Sequence, residues 1–204
     1  MVDFKVIPHQ TALLDIDLQN CFVAGADRGR EVVDRINEIA AVCRDAGILV
    51  IHTRHAIRRD HANIGVLGQI VSKVRDGLLD EGAESAAYHE ALQIEPHDVL
   101  LTKPRFGAFH GTDLEVILRS RGIDAVIIAG ITTDVCCDTT AREANARDFK
   151  VFFLSDATTT SAGNPAEVIE ATLDLMGALF GQVLSSQEMI AKIEGARVGD
   201  GSVE

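Results

Sequence analysis

The sequence predicts an α/β fold: a parallel sheet with helices on both faces. Three observations predict it. Short apolar runs of strand length recur along the chain, such as ALLDID, ILVIHT, DVLLT, DAVIIAG and KVFFLS. Segments with helical spacing or helix-start signals separate them. Strands that alternate with helices pair in parallel through right-handed crossovers, which puts the helices on the two faces. The chain has 204 residues and is 47% hydrophobic, which suits one domain, residues 1–204, with a sizeable core.

In chain order, the first strand is expected over 12–17. A helix follows over 28–46, because Val32, Val33, Ile36, Ile39, Ala40 and Cys43 recur on one helical face. Asp27 is placed to cap it and Gly47 to end it. The second strand covers 48–53. The stretch RHAIRRDHANIGVLGQIVSKVRDGLLDEG is too long for an idle connection and reads as a lid or binding loop. The third strand covers 98–102. Thr112 and Glu115 have capping-box spacing and open a helix to about Ser120. Strand four covers 124–130, a helix 133–147, and strand five 150–155. Asn164-Pro165 supplies an N-cap and a first-turn proline for a helix to about Phe180. GQVLS is a last short strand and SSQEMIAKI a final helix. The tail from about 195 is expected to fray. Neither an internal repeat nor a low-complexity linker interrupts this order.

The charge balance excludes several classes of function. Lys and Arg number 19 and Asp and Glu 31, for a net charge of −12, which disfavours a nucleic-acid groove or an anionic membrane surface. Aromatic residues are only 4%, too few for base-stacking platforms. No apolar run reaches the roughly 18 residues of a membrane span. The start MVDFKVIPHQ carries an acid and lacks an apolar segment, so a signal peptide is not expected and the protein is expected in the cytoplasm. The cysteines are Cys21, Cys43, Cys136 and Cys137. Two are adjacent and none form a CxxC pair, so neither a disulfide framework nor a thiolate zinc site is expected.

In a sheet of this class, ligands sit at the carboxyl ends of the strands. Those ends supply Asp17, Thr53-Arg54, Lys103 and the run Thr132 to Cys136. Strand alternation puts Asp15 and Asp17 on one side, where either can act as an acid or cap a turn. Lys103 follows an apolar run, and a buried lysine needs a partner such as a neighbouring carboxylate. Cys136 falls in the first turn of a helix capped by Thr132 or Thr133. Unpaired N–H groups and the helix dipole there favour a thiolate and can hold an oxyanion. Cys137 points about 100° away and reads as core; Cys21 and Cys43 read as small core hydrophobes. A thiol, a carboxylate and an ammonium together suit covalent acyl transfer.

These residues resemble the isochorismatase-like cysteine hydrolases, which include nicotinamidases, N-carbamoylsarcosine and ureidoacrylate amidohydrolases, and biuret hydrolases. The resemblance runs from about Thr11 to Leu184. LLDIDLQNCF is similar to the family's strand-one motif and implies Asp17 as the catalytic acid. KPRFGAFHGTDLEVILRSRGID is similar to its lysine loop and implies Lys103. GITTDVCCDTTAREA implies Cys136 as nucleophile. The resemblance also implies a cis peptide before Thr132 and backbone oxyanion donors at Thr132 and Cys136. The implied fold is a three-layer αβα sandwich with a six-stranded parallel sheet, in a homodimer or homotetramer.

The departures narrow the chemistry. Nicotinamidases carry a metal site after strand two; here Ile51-His52-Thr53-Arg54-His55-Ala56 places an arginine where the metal-binding aspartate is expected. No metal and no other cofactor is therefore expected, His52, His55 and His61 read as loop or packing residues, and nicotinamide is disfavoured as substrate. Isochorismatases proper cleave a vinyl ether without the cysteine, so Cys136 argues against that reaction. A small-molecule amide or ureido substrate is expected. The alternatives are vinyl-ether hydrolysis and a non-catalytic metabolite-binding protein. Arg54 is read as facing the pocket, where it either grips a substrate carboxylate or carbonyl in a bidentate way or is a surface arginine paired to an acid. Phe22 and Phe109 either wall the pocket or belong to the core. Gln19 either contacts substrate or satisfies backbone groups. Arg58, Arg59, His61 and Asn63 lie on the long loop, where they either close over a ligand or are simply solvated.

Overall fold

The computed structural model describes residues 2–200. Six strands form one parallel sheet in the order β3-β2-β1-β4-β5-β6. The strands are β1 (Thr11–Ile16), β2 (Leu49–His55), β3 (Val99–Lys103), β4 (Ala125–Ile131), β5 (Lys150–Thr159) and β6 (Gln182–Leu184). The helices are α1 (Asn20–Gly25), α2 (Gly29–Asp45), the single turns α3 (Leu67–Ile70) and α4 (Ser72–Arg75), α5 (Leu114–Ser120), α6 (Asp138–Asn145), α7 (Pro165–Leu175) and α8 (Ser186–Asp200). The predicted α/β class with helices on both faces is what the chain adopts. Among the described residues, no helix is long and apolar enough to cross a membrane.

Alternation along the strands sorts the side chains into two cores. Leu13, Val50, Ile127 and Phe152 face Val32, Val33, Ile36 and Ile39 of α2 and Met189 and Ile193 of α8. Ala12, Leu14, Ile51, Leu101, Val126, Ile128 and Phe153 face Leu114 and Leu118 of α5, Ala141 and Ala144 of α6, and Met176. Each fully buried aliphatic side chain contributes about 1.5–3 kcal/mol, so both layers of helices help to hold the sheet. Strands β1 to β3 build outward on one side and β4 to β6 on the other. The order therefore reverses between β1 and β4, and a crevice forms at their carboxyl ends.

Several boundaries differ from the sequence expectations for identifiable reasons. Strand β5 runs four residues further than expected, because a register shift between Ile128 and Gly130 opposes Gly130 to Thr158. The expected capping box does not form. The Thr112 hydroxyl accepts the Leu114 N–H, whereas Glu115 turns outward to Arg119 and Arg147. Arg28 in the left-handed region, not Asp27, precedes α2. Asp27 instead joins the end of β5, its N–H donating to the Thr160 carbonyl. Gly47 does end α2, at φ 76°. The expected helix 133–147 begins as a wide turn, Thr133–Cys137, with no side-chain cap from Thr132 or Thr133. The helix expected to reach Phe180 likewise changes to a wide turn after Leu175. Helix α8 continues to Asp200, so the tail expected to loosen from 195 is partly helical, and residues 201–204 lie outside the described residues.

Gly130 holds the crevice together. Its φ is 129°, and an added Cβ would land on the backbone of Ile16 in the neighbouring strand. Gly130→Ala is expected to destabilise by about 3 kcal/mol or more, from combined backbone strain and collision. A urea melt reads this directly; an unchanged midpoint would contradict the tight approach of β4 to β1.

Candidate active site

Asp17 follows β1 with φ 55°, in the left-handed region. That turn ends the alternation, so the expected pairing of Asp15 and Asp17 on one side is corrected. Asp15 faces His52 on the α2 side of the sheet, at 2.7 Å. Asp17 faces the other way. The Thr53 hydroxyl donates to Asp17 Oδ1 at 2.7 Å and accepts the Asp17 N–H at 3.2 Å.

Lys103 ends β3 and reaches Asp17 across β2. Its Nζ lies 2.7 Å from Asp17 Oδ2, with both side chains fully buried. The ammonium donates to the carbonyls of Arg105 and Phe106 at 2.9 and 2.8 Å. These two bonds leave the third N–H of the ammonium for the Asp17 carboxylate. Burial opposes the charge on Lys103, but Asp17 and the Cys136 sulfur outweigh it and raise its pKa.

Cys136 lies in the turn after β4, 4% exposed. Its thiol sits against Asp17 and within the field of Lys103. Burial pushes it up to about 12; Lys103 pulls it down and Asp17 pushes it further up. A resting thiolate is what the sequence leads one to expect here; burial and Asp17 instead favour the neutral thiol. Cys137 is fully buried in the core against the second face, as expected. The peptide bond Ile131–Thr132 is cis.

The four proposed substrate contacts all have partners within the chain. Gln19 is saturated: its Nε2 donates to His55 and Ala86 carbonyls at 3.0 and 2.7 Å, and its Oε1 accepts the His55 N–H at 2.7 Å. Of its two alternatives, backbone satisfaction is the one realised. Arg54 points to the opposite face from Thr53, where its Nε donates to Thr102 and its guanidinium lies over Tyr88. It does not face the Asp17–Lys103 pair. Phe109 stacks on Phe149 at 5.7 Å, toward the amino ends of the strands, and is core. Phe22 packs between the α2-side core and the small cluster of Ile57, Leu67, Val74 and Leu79.

His55, on the same side of β2 as Thr53, is fully buried with its ring edge against Phe106 at 5.8 Å. Burial, then Lys103, pushes it down to about 4, so it stays neutral. His61 pairs with Asp80 at 2.8 Å on the long loop. No group of three or more potential metal ligands converges among the described residues. Surface grooves of about 730 and 590 Å³ contain none of Asp17, Lys103 or Cys136, which are all buried.

Sequence reasoning left Thr53 without a role, although it stands at a strand end. Its hydroxyl binds both the backbone and the side chain of Asp17, a contact that follows only from the turn at Asp17.

A parallel sheet with an acid, a lysine and a cysteine at its carboxyl rim defines an isochorismatase-like hydrolase fold. Residues 11–188 match the family model described as the isochorismatase domain. The chain belongs to the isochorismatase family. It is 36% identical to Nicotinamidase 3 of Arabidopsis thaliana over 171 residues, covering 83% of this chain and 81% of that protein. It is 32% identical to ureidoacrylate amidohydrolase RutB of Methylorubrum extorquens over 196 residues, covering 85% and 78%. Among solved structures, a cysteine hydrolase from Pseudomonas syringae pv. phaseolicola superposes with a TM-score of 0.90 at 31% identity, covering 96% of this chain and 97% of that one.

Proposed function

We propose that this protein is a cysteine-dependent amidohydrolase that cleaves the C–N bond of a small amide or ureido substrate through a thioester. The observation that carries this reading is the buried Lys103–Asp17 pair, 2.7 Å apart, beside the Cys136 thiol. A buried ion pair facing a buried thiol costs desolvation that packing alone does not require. Relatives named as a nicotinamidase and a ureidoacrylate amidohydrolase support the amide class.

Cys136 rests as a thiol. As substrate enters, Asp17 Oδ2 accepts the thiol proton and Lys103 holds the resulting charges together. Sulfur attacks the amide carbonyl, and the N–H groups of Thr132 and Cys136 hold the oxyanion. The Asp17 carboxyl then returns the proton to the departing nitrogen, which leaves as ammonia or an amine. Water, deprotonated by Asp17, releases the acid and regenerates the thiol.

A panel of primary amides and ureido acids, followed by ammonia release, tests the proposal. At least one member should be turned over, at a rate unchanged by a strong chelator. Loss on chelation with recovery on adding zinc or iron would overturn the metal-independent mechanism. Silence across the whole panel would overturn the amidase reading.

A further inference from the structure

A second buried charge network lies on the opposite face of the sheet. His52 Nδ1 is 2.7 Å from Asp15 Oδ2, and His52 Nε2 is 3.1 Å from Asp98 Oδ2. Asp98, just before β3, is gripped by Arg44 of α2 through Nε at 3.1 Å and Nη2 at 2.6 Å. Asp15 and His52 are fully buried and Asp98 is 3% exposed. Burial pushes the Asp15 carboxyl up and the His52 contact pulls it back down. Where both acids are ionised they only accept hydrogen bonds, so both ring nitrogens donate. His52 is then an imidazolium between two acids. In that state, with Arg44, the two acids and two bases balance in charge. Tyr88 closes it, its hydroxyl donating to the His52 carbonyl at 3.0 Å.

The network shares its backbone with the candidate active site. His52 precedes Thr53, which binds Asp17; Asp15 and His52 are register partners, and Asp17 follows Asp15 by two residues. Anchoring His52 on one face fixes where Thr53 presents its hydroxyl on the other. We infer that the Asp15–His52–Asp98–Arg44 chain is a positioning device, holding Thr53, and through it the Asp17 carboxylate, in line for the reaction on the opposite face of the sheet. The catalytic consequence rests on the amidase reading; the geometric one does not.

The groups facing His52 are Asp15 from β1, Asp98 and Tyr88 from the segment leading to β3, and Arg44 from α2, with Arg54 across the Tyr88 ring. Burial opposes the charge on His52, but Asp15 and then Asp98 outweigh it and raise its pKa. Its contribution to stability is therefore full below the ordinary histidine value and is lost as pH rises through the raised one.

The test uses H52Q and D98N in the full chain, with two readouts. Hydrogen exchange at the Asp17 amide reports the bond to Thr53. In folded H52Q it should speed up at least tenfold relative to the Phe153 amide in β5, while kcat on an amide from the panel falls at least tenfold and KM changes less than twofold. D98N leaves the Asp15–His52 bond in place. It should move both readouts in the same direction by a smaller factor, and its activity should fall off at a lower pH than the parent's. Parental Asp17 exchange in folded variants would overturn the inference, and so would a failure of both variants to fold, which would make the network purely structural. If the parent hydrolyses no amide while Asp17 exchange still accelerates, the amidase reading fails and the positioning stands.

Discussion

Cys136→Ala is expected to lower amide turnover by about three orders of magnitude or more, because it removes the atom that forms the covalent intermediate. The fold should survive. The substitution deletes one sulfur from a site where burial already favours the neutral thiol, so the melting midpoint should move by no more than about 1 kcal/mol equivalent. Ammonia release and thermal melts on the same samples separate the two effects. Undiminished release from the alanine variant would remove the sulfur from the mechanism. The parent has a second signature. A thiol raised to about 12 should react slowly with iodoacetamide near neutral pH, despite lying at the start of a helix.

Lys103→Met should produce the largest loss of stability. The side-chain length is kept, but Asp17 is left as a buried carboxylate without its cation. Breaking one side of such a pair costs about 3–5 kcal/mol. The carbonyls of Arg105 and Phe106 lose their donor as well. Adding Asp17→Asn should recover much of that loss, since the pair is then removed from both sides. Neither the single nor the double variant should hydrolyse amides. Urea melts on the two singles and the double give the coupling directly. Simple additivity would mean that the 2.7 Å contact does not carry the energetics assigned to it.

The layered α/β fold was legible in the chain because apolar runs of strand length and helical spacing alternate without ambiguity. So were the positions of Asp17, Lys103 and Cys136 at strand ends. The details between those points were not. Alternation placed Asp15 with Asp17, but one left-handed residue at Asp17 reverses its direction, and no residue type announces that turn. Arg54 and Gln19 have side chains suited to a substrate; the first is drawn to Thr102 and Tyr88, the second to three backbone groups of the chain itself. The Thr112 and Glu115 spacing fitted a capping box, yet Arg119 and Arg147 compete successfully for the glutamate. Each of these outcomes depends on a partner distant in sequence, and local pattern carries no information about it. The protonation of Cys136 was not legible for a related reason: a helix start can be located from sequence, but the depth to which the thiol is buried cannot.

The lysine stands on β3, one of the two edge strands, with a neighbour on one side only. With one neighbour it has fewer hydrogen bonds and contacts to hold it than the interior strands that carry the acid and lead to the sulfur, so local opening is expected to begin on that side. Warming should therefore disarm this molecule while most of its helices are still intact, and a circular-dichroism trace taken alone would overstate the temperature to which it stays competent.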